Sequence, residues 1–445
     1  MRLLGVGKEG INLFCGLMDL SQNFNNYLYY AAVENIYIGA KTVFDILRRK
    51  AVEEEKIKNS ENGKPMAEIT VSGDGTWKKR GFNSLFGITT LIGKYTSKVV
   101  DLVVKSAYCH ACKLWESKCG TPEYLIWLDE HVEECTTNHE GSAGKMEVDA
   151  VKEMFQRSWE LSQVKYAQYI GDGDSKTFKA LLDINVYGDD LQVKKKECVG
   201  HVEKRMGSRL RNIKKSRKLG GKNKLTDTLI KKITIYYGLA IRRHSDSVEN
   251  MYNAVWAIFH HKISTNKNPQ HMYCPVGPDS WCKWRVAESN NTLDEFDHEP
   301  ALHEDVQQAL KPIFEDLSSR ELLERCLGGE TQNNNESFNS TVWRLAPKHL
   351  HCGAKVIEIA AYLATGIFNE GFYAILKTMT TIGIIVGEKA KMFSEERDQH
   401  RLERSARRSL EATKEARTNR RHEQMAKNQL YEEEEGLLYG PGISE

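Results

Sequence analysis

No stretch of this sequence holds enough consecutive apolar residues to cross a bilayer, which argues against a membrane-spanning protein. The N-terminus, Met1-Arg2-Leu3-Leu4-Gly5, lacks the sustained apolar core of a signal peptide, so an intracellular, reducing location is expected. In that setting the ten cysteines read as metal ligands or core residues rather than disulfides. The Asn-x-Ser/Thr matches at Asn290, Asn335 and Asn339 read as chance. Net charge is nearly absent too: 63 Lys and Arg against 61 Asp and Glu leave +2, so the chain as a whole does not announce a nucleic-acid partner. There is no internal repeat. Gly5-Val6-Gly7-Lys8-Glu9-Gly10 lacks the Gly-Lys-Ser/Thr ending and the preceding strand of a phosphate loop, and no histidine is tied to a cysteine in the context of a thiol nucleophile.

The charge that is present is unevenly placed. Between Lys204 and Lys224 stand ten Lys or Arg and no acid. With 445 residues, 40% apolar and 28% charged, the chain has the composition of a globular protein of two or three domains, or of one domain with an insertion. Residues 1–65 read as a helical segment, closed by the polar stretch Glu53 to Lys64. Ile69 to Asp74 alternates apolar and polar residues and ends in glycine and acid, as a strand running into a turn does. Phe82 to Ile92 and Lys98 to Ser106 predict two more strands, Glu147 to Leu161 a helix, and Tyr166 to Ile170 a fourth strand running into Gly171-Asp172-Gly173-Asp174. Ser175 is placed to cap a helix over Thr177 to Leu182. Three antiparallel strands, a helix, then a strand ending in acid is the order of a ribonuclease-H-like α/β sheet. We divide the chain into a first part of that core (66–212) carrying a Cys/His insertion near 109–139, a mainly helical insertion (213–330), a second part of the core (331–393) and a charged tail (394–445).

Phosphoryl transfer with two divalent ions needs two or three carboxylates converging from strand ends and a helix start, and hard ions such as magnesium take oxygen ligands. Asp74 and Asp172, each between glycines after a strand, and Glu336, in the polar opening of a helix (Asn333 to Asn339), fit that need. An Asp-Gly pair taken alone is more often a turn; the combination with the strand order is what points to catalysis.

The segments Ser72-Gly73-Asp74-Gly75-Thr76-Trp77, Tyr169-Ile170-Gly171-Asp172-Gly173-Asp174-Ser175-Lys176, Glu197-Cys198-Val199-Gly200-His201-Val202-Glu203-Lys204-Arg205-Met206-Gly207 and Asn335-Glu336-Ser337-Phe338-Asn339 resemble the Mutator-like transposases of animal genomes. The resemblance runs over roughly residues 10–390. It implies a ribonuclease-H-like core with an Asp-Asp-Glu triad, interrupted by a helical insertion before the glutamate. Asp74 and Glu336 become the first and third acids and Asp172 the second, with Asp174 as the alternative. The implied activity is cleavage and transfer of DNA strands with Mg2+ or Mn2+, by a homo-oligomer acting on terminal inverted repeats and target DNA in the nucleus. A catalytically silent, domesticated DNA-binding derivative and a nuclease without strand transfer are the competing readings. The family's separate upstream module for recognising DNA is expected to be missing from this chain.

Cys109-x-x-Cys112 and His131-x-x-x-Cys135 have the paired spacing of a structural zinc site, with His139 and Cys119 as alternative ligands. Cys198-x-x-His201 resembles an element found between the second and third acids in several transposase groups, and reads as half of a second zinc site completed by His271, Cys274 or Cys282. Within the basic stretch, Lys204, Arg205, Arg209, Arg211, Lys214 and Lys215 are candidates for phosphate contact, and Lys214-Lys215-Ser216-Arg217-Lys218 also resembles a nuclear import signal. Trp256, Trp281, Trp284 and Trp343 read as core residues before base-stacking ones.

Overall fold

A computed structural model describes residues 2–20, 25–79, 84–172, 175–221 and 224–409; Asp174, Lys222, the expected strand start at Phe82 and the acidic run at 432–435 lie outside them. Five strands, β1 (Glu68–Trp77), β2 (Phe86–Gly93), β3 (Val99–Ser106), β4 (Lys165–Gly171) and β5 (Lys194–Glu197), form one sheet in the order β3-β2-β1-β4-β5. β2 runs antiparallel to both β1 and β3, while β4 is parallel to β1 and β5 parallel to β4. The protein is therefore a mixed α/β sheet with helices on both faces. Four strands fall on the alternating, β-branched segments of the sequence; β5 was not expected. β1 also differs from expectation: it continues through Gly73-Asp74-Gly75 to Trp77, so Asp74 lies mid-strand, paired with Thr90, rather than at a strand end.

The glycines explain why. A Cβ at Gly73 would meet the Tyr169 ring at 2.4 Å, and one at Gly75 would meet Glu147 Oε2 at 2.6 Å. These positions are glycine because a ring and a carboxylate press on that face of the strand, and the chain does not turn there.

The helices follow in chain order. α1 (Lys8–Leu17) precedes the long α2 (Asn26–Glu61), which Asn25 caps through the backbone N–H of Leu28 at 2.8 Å. α3 (His110–Trp115) and α4 (Pro122–His131) form a small lobe after β3. α5 (Ala143–Ser162) and α6 (Ser175–Ile184) flank β4. A helical body follows: α7 (Val199–Ser216), α8 (Asp227–Arg243), α9 (Val248–Ile263), α10 (Lys283–Ser289), α11 (Glu304–Leu317) and α12 (Arg320–Cys326). α13 (Asn333–Leu345) and α14 (Ala354–Glu370) return to the sheet, α15 (Tyr373–Thr381) packs on α2 and α14, and α16 (Glu388–Ser409) carries a mostly exposed, charged surface.

Each sheet face has its own core. Ala150, Val151, Met154 and Phe155, one stripe of α5, pack on Ile69, Val71, Leu91, Val100 and Val103. The opposite face, with Ile88, Ile92, Leu102 and Val104, is covered by Phe44 of α2 and by Phe338, Ile357 and Ala361 of α13 and α14. A register shift between Leu91 and Ile92 lets both Val100 and Asp101 turn toward α5. There the buried Asp101 accepts two bonds from Arg157, at 2.6 and 3.2 Å. Burial raises its pKa while the guanidinium holds it down. Removing one partner of a buried pair strands the other. Arg157→Ala is expected to cost about 3–5 kcal/mol, read as a lower urea midpoint; an unchanged midpoint would contradict this account.

The helical body has a separate core, from Val199 and Met206 of α7 through Tyr237, Trp256 and Phe314 to Leu323 of α12. Its two ends meet. The Val199 N–H donates to the Glu330 carbonyl at 2.9 Å, and the Cys198 N–H to the carbonyl of Gly171 at 3.3 Å. The body thus leaves and rejoins the sheet beside the end of β4.

Candidate active site

β1 and α13 run side by side in the same direction, and their side chains mesh. Ser72 Oγ donates to Asn335 Oδ1 at 2.7 Å, Asn339 Nδ2 to Asp74 Oδ2 at 2.7 Å, and Trp343 Nε1 to Thr76 Oγ1 at 2.8 Å. Two strand residues advance about 6.6 Å and four helix residues about 6 Å, so one helix stripe stays in register with alternate strand positions. Gln332 adds a bond to the Gly73 carbonyl, and Asn335 Nδ2 one to the Ser72 carbonyl at 3.1 Å. This polar seam, which the sequence did not disclose, fixes the start of α13 and hence Glu336 against Asp74.

Asp172 follows β4, the parallel neighbour of β1, and is brought to the same place; its Oδ1 lies 3.5 Å from Nδ1 of His201, in the first turn of α7. The three acids feel one another. The Asp74 carboxyl is pushed up to about 6, chiefly by burial; His201 and Asn339 pull it down, while the negative charges of Glu336 and Asp172 push it further up. Side chains of Asp172 and Glu336 are 60% and 56% exposed, so one wall of the cluster is open. Asn339 Oδ1 and Gln332 Oε1 are buried beside it without a hydrogen-bond partner among the described residues. Carboxylates and amide oxygens are the donor types that a hard divalent ion takes, although the acids' oxygens are less closely grouped than the ligand atoms of the two Cys/His sets.

The raised Asp74 has a measurable cost. Its folded pKa exceeds the ordinary value of 3.8, so its contribution is fully favourable below that value and is lost as pH rises through about 6. Asp74→Asn should therefore stabilise the metal-free protein by about 3 kcal/mol at pH 7.5 and leave it nearly unchanged near pH 3.5 to 4. Thermal melts at the two pH values check this; equal shifts at both would contradict it.

Cys198 and His201 belong to this site. Burial opposes ionisation of Cys198, but the bond and charge from His201 lower its pKa, and the same bond raises that of His201. They do not join His271, Cys274 and Cys282, which lie in the helical body with His261. The reason is local: Cys198 N-caps α7 and is tied to Gly171 on the sheet.

The candidate phosphate contacts divide. Lys204 is exposed and 3.9 Å from Glu336 Oε1. Arg205 turns inward to the buried Glu197, which also faces Lys195 and Arg325. Arg209 and Lys214 pair with Asp316 and Asp227 at 2.9 and 2.8 Å. Arg211 and Lys215 are exposed. Trp256 is buried and donates to Ser318, Trp284 stacks on His271, Trp343 belongs to the polar seam, and Trp281 is 52% exposed.

Cys109, Cys112, His131 and Cys135 come together in the α3–α4 lobe, their ligand atoms all within 4.8 Å of one another. His131 Nε2 is 3.3 Å from both Cys109 and Cys112 Sγ, and Cys112 Sγ is 3.5 Å from Cys135 Sγ. Burial opposes ionisation of Cys109, yet the Cys112 backbone N–H and bonds from Thr136 and His131 bring it to about 6. Three thiols and an imidazole at these separations could hold zinc. The alternatives lie apart: Cys119 is exposed, and His139 is engaged by Asp149 at 3.2 Å and the Ser142 carbonyl at 3.2 Å.

Among the described residues no helix is long and apolar enough to cross a membrane. Comparison with curated proteins and with solved structures gives no match. The family model of the Mutator-like transposases matches residues 1–282, a span that holds Asp74, Asp172, Cys198, His201 and the lobe cysteines, with Glu336 beyond it. More than half of the chain is covered, and the chain belongs to the Mutator-like transposases, a family of DNA-processing enzymes.

Proposed function

We propose that this protein is a cut-and-paste DNA transposase, cleaving DNA strands and joining them to target DNA on a ribonuclease-H-like core interrupted by a helical insertion. The observation that carries the reading is the grouping of Asp74, Asp172 and Glu336, from a strand, a strand end and a helix start: α13 is bonded to the half-buried Asp74 through Asn339, and Asp172 stands against His201 beside it. The strand order and directions, with the first acid on β1 and the second just past the end of its parallel neighbour β4, support it further.

Magnesium or manganese held by these three acids would supply the charge that activates the attacking oxygen and neutralises the leaving one. The chain's own part is positioning. Asn339 fixes one oxygen of Asp74, Gln332 and Asn335 fix the helix that presents Glu336, and His201 stands against Asp172. The open wall admits a duplex, and Lys204, Arg211 and Lys215 on α7 offer positive charge to its phosphates. No covalent protein nucleophile is required. The reading includes a zinc ion on Cys109, Cys112, His131 and Cys135 as a structural element, a homo-oligomer on paired repeat ends, and a nuclear location served by residues 214–218.

The test is incubation of the full chain with Mg2+ or Mn2+ and a duplex carrying the inverted repeats that flank its coding region. Nicked and joined products on a denaturing gel are expected. Nicks without joined products would instead mean a nuclease of the same fold. Neither product, with a gel shift retained, would mean a DNA-binding protein without catalysis.

A further inference from the structure

The helical body contains a group that plays no part in the acid cluster. His261, at the end of α9, faces His271, Cys274 and Cys282 on the irregular segment that follows, and the four ligand atoms all lie within 4.8 Å of one another. His261 Nδ1 is 4.0 Å from Cys274 Sγ and 3.6 Å from Cys282 Sγ; His271 Nδ1 is 3.7 and 3.4 Å from the same sulfurs. A tetrahedral zinc ion with bonds of about 2.3 Å to sulfur and 2.0–2.1 Å to nitrogen separates its ligands by about 3.3–3.8 Å. The observed separations fall on or next to that range. We propose that His261, His271, Cys274 and Cys282 form a zinc site of their own, independent of the one in the α3–α4 lobe.

The surroundings are those of a metal site. Ligating histidines give their other ring nitrogen to an oxygen or nitrogen partner, which fixes the ring. His271 Nε2 stands 3.0 Å from Ser264 Oγ and 2.9 Å from Nε2 of His298, whose Nδ1 is held by Asn266 at 2.6 Å. Trp284 stacks on His271 at 4.7 Å and 15°, and Arg285 donates to the His271 carbonyl at 2.9 and 3.2 Å. Cys274 and Cys282 are 3% and 0% exposed, so the thiols are not a surface pair awaiting oxidation. Two sulfurs and two imidazoles, three of the four residues buried, select zinc over the hard ions of the acid cluster.

The segment also needs a fastening. Between α9 and α11 the only helices are α10 and one short turn, and the local apolar core consists of Ala257, Cys274 and Cys282 with Tyr273 and Trp284 against it. Two of those core residues are the ligands themselves. Zinc would replace the packing that the segment lacks.

Metal analysis of the purified full chain under reducing conditions tests this. Two zinc ions per chain are expected, with an X-ray absorption shell of five sulfurs and three nitrogens shared between them. Cys282→Ser should leave one ion with three sulfurs and one nitrogen, and Cys112→Ser one ion with the shell of two sulfurs and two nitrogens. A wild-type protein holding one ion in the three-sulfur shell, or none, overturns the proposal, as does a Cys282→Ser protein that keeps two. Should that variant be insoluble, the wild-type count and shell decide alone.

Discussion

Alanine at Asp74, Asp172 or Glu336 is expected to lower strand cleavage and joining by ~10³-fold or more each, a loss of about 4 kcal/mol of transition-state stabilisation. The reason is that, in the proposed mechanism, the three acids act as one unit. Each would contribute negative charge that neutral amide oxygens cannot supply, so removing one carboxylate leaves the remaining pair with too little charge to hold metal in place. Residues that act as a unit lose activity non-additively, and the triple variant should be about as inactive as each single one. Folding does not confuse the result for two of the positions, because Asp172 and Glu336 are largely exposed and surface substitutions change stability by about 0.5 kcal/mol or less. Retained repeat binding in a gel shift would show that the fold survives. Asp174→Ala is the companion experiment: it should leave activity near wild type, and a loss there with activity kept in Asp172→Ala would transfer the second role to Asp174. Wild-type rates in all three single variants would remove the triad altogether.

Loss of the zinc in the α3–α4 lobe should have the largest structural effect, and it should be local. In the α3–α4 lobe no residue of α3 is buried, and His131 is the one buried residue of α4. Leu114, Leu125, Ile126 and Val132 are each at least 60% exposed. A lobe without a core cannot offset the entropy of ordering its chain. A structural zinc ion contributes on the order of 10–16 kcal/mol at neutral pH, enough to hold such a lobe by itself. Cys112→Ser is therefore expected to open residues 110–135 to protease and to hydrogen exchange, and a strong chelator to open the segment between α9 and α11 as well. The sheet cores, which do not depend on that ion, should keep their protection. Protection unchanged through the lobe after zinc removal would show that Trp115, Trp127 and His131, stacked at 4.9 and 4.5 Å, suffice without metal.

How far the sequence could be read depended on where each signal was written. β1 to β4 were legible because their apolar and polar residues alternate or their β-branched residues cluster, and the cysteine pairs of the lobe were legible because their spacing is short. β5 was not: Lys194-Lys195-Lys196-Glu197 reads as a solvated run, and it becomes a strand only because β4 offers it an edge. The Asp74 segment suggested a turn because glycines on either side of an acid usually make one; here they yield space to Tyr169 and Glu147, which no local pattern reveals. His261 escaped notice as a ligand because it sits in a helix, far from the short pairs that signal metal. Asn335 and Asn339 looked like the polar opening of a helix, and their bonds to β1 span more than 260 positions. The basic stretch looked stronger in sequence than it is in space, since the acids that engage Arg205, Arg209 and Lys214 come from β5, α8 and α11.

The meeting of Val199 with Glu330 has a bearing on how the protein is made. On an emerging chain, Asp74 and Asp172 leave the ribosome long before Glu336, and joining points so distant in a floppy polymer would carry a loop-closure penalty that grows with the intervening length. Here the intervening residues fold upon themselves and return their two ends to one spot, so the search left for α13 is short. Until α13 arrives, a nascent chain carries two acids and no complete site. On the proposed function, the capacity to cut DNA thereby waits until α13 has been made.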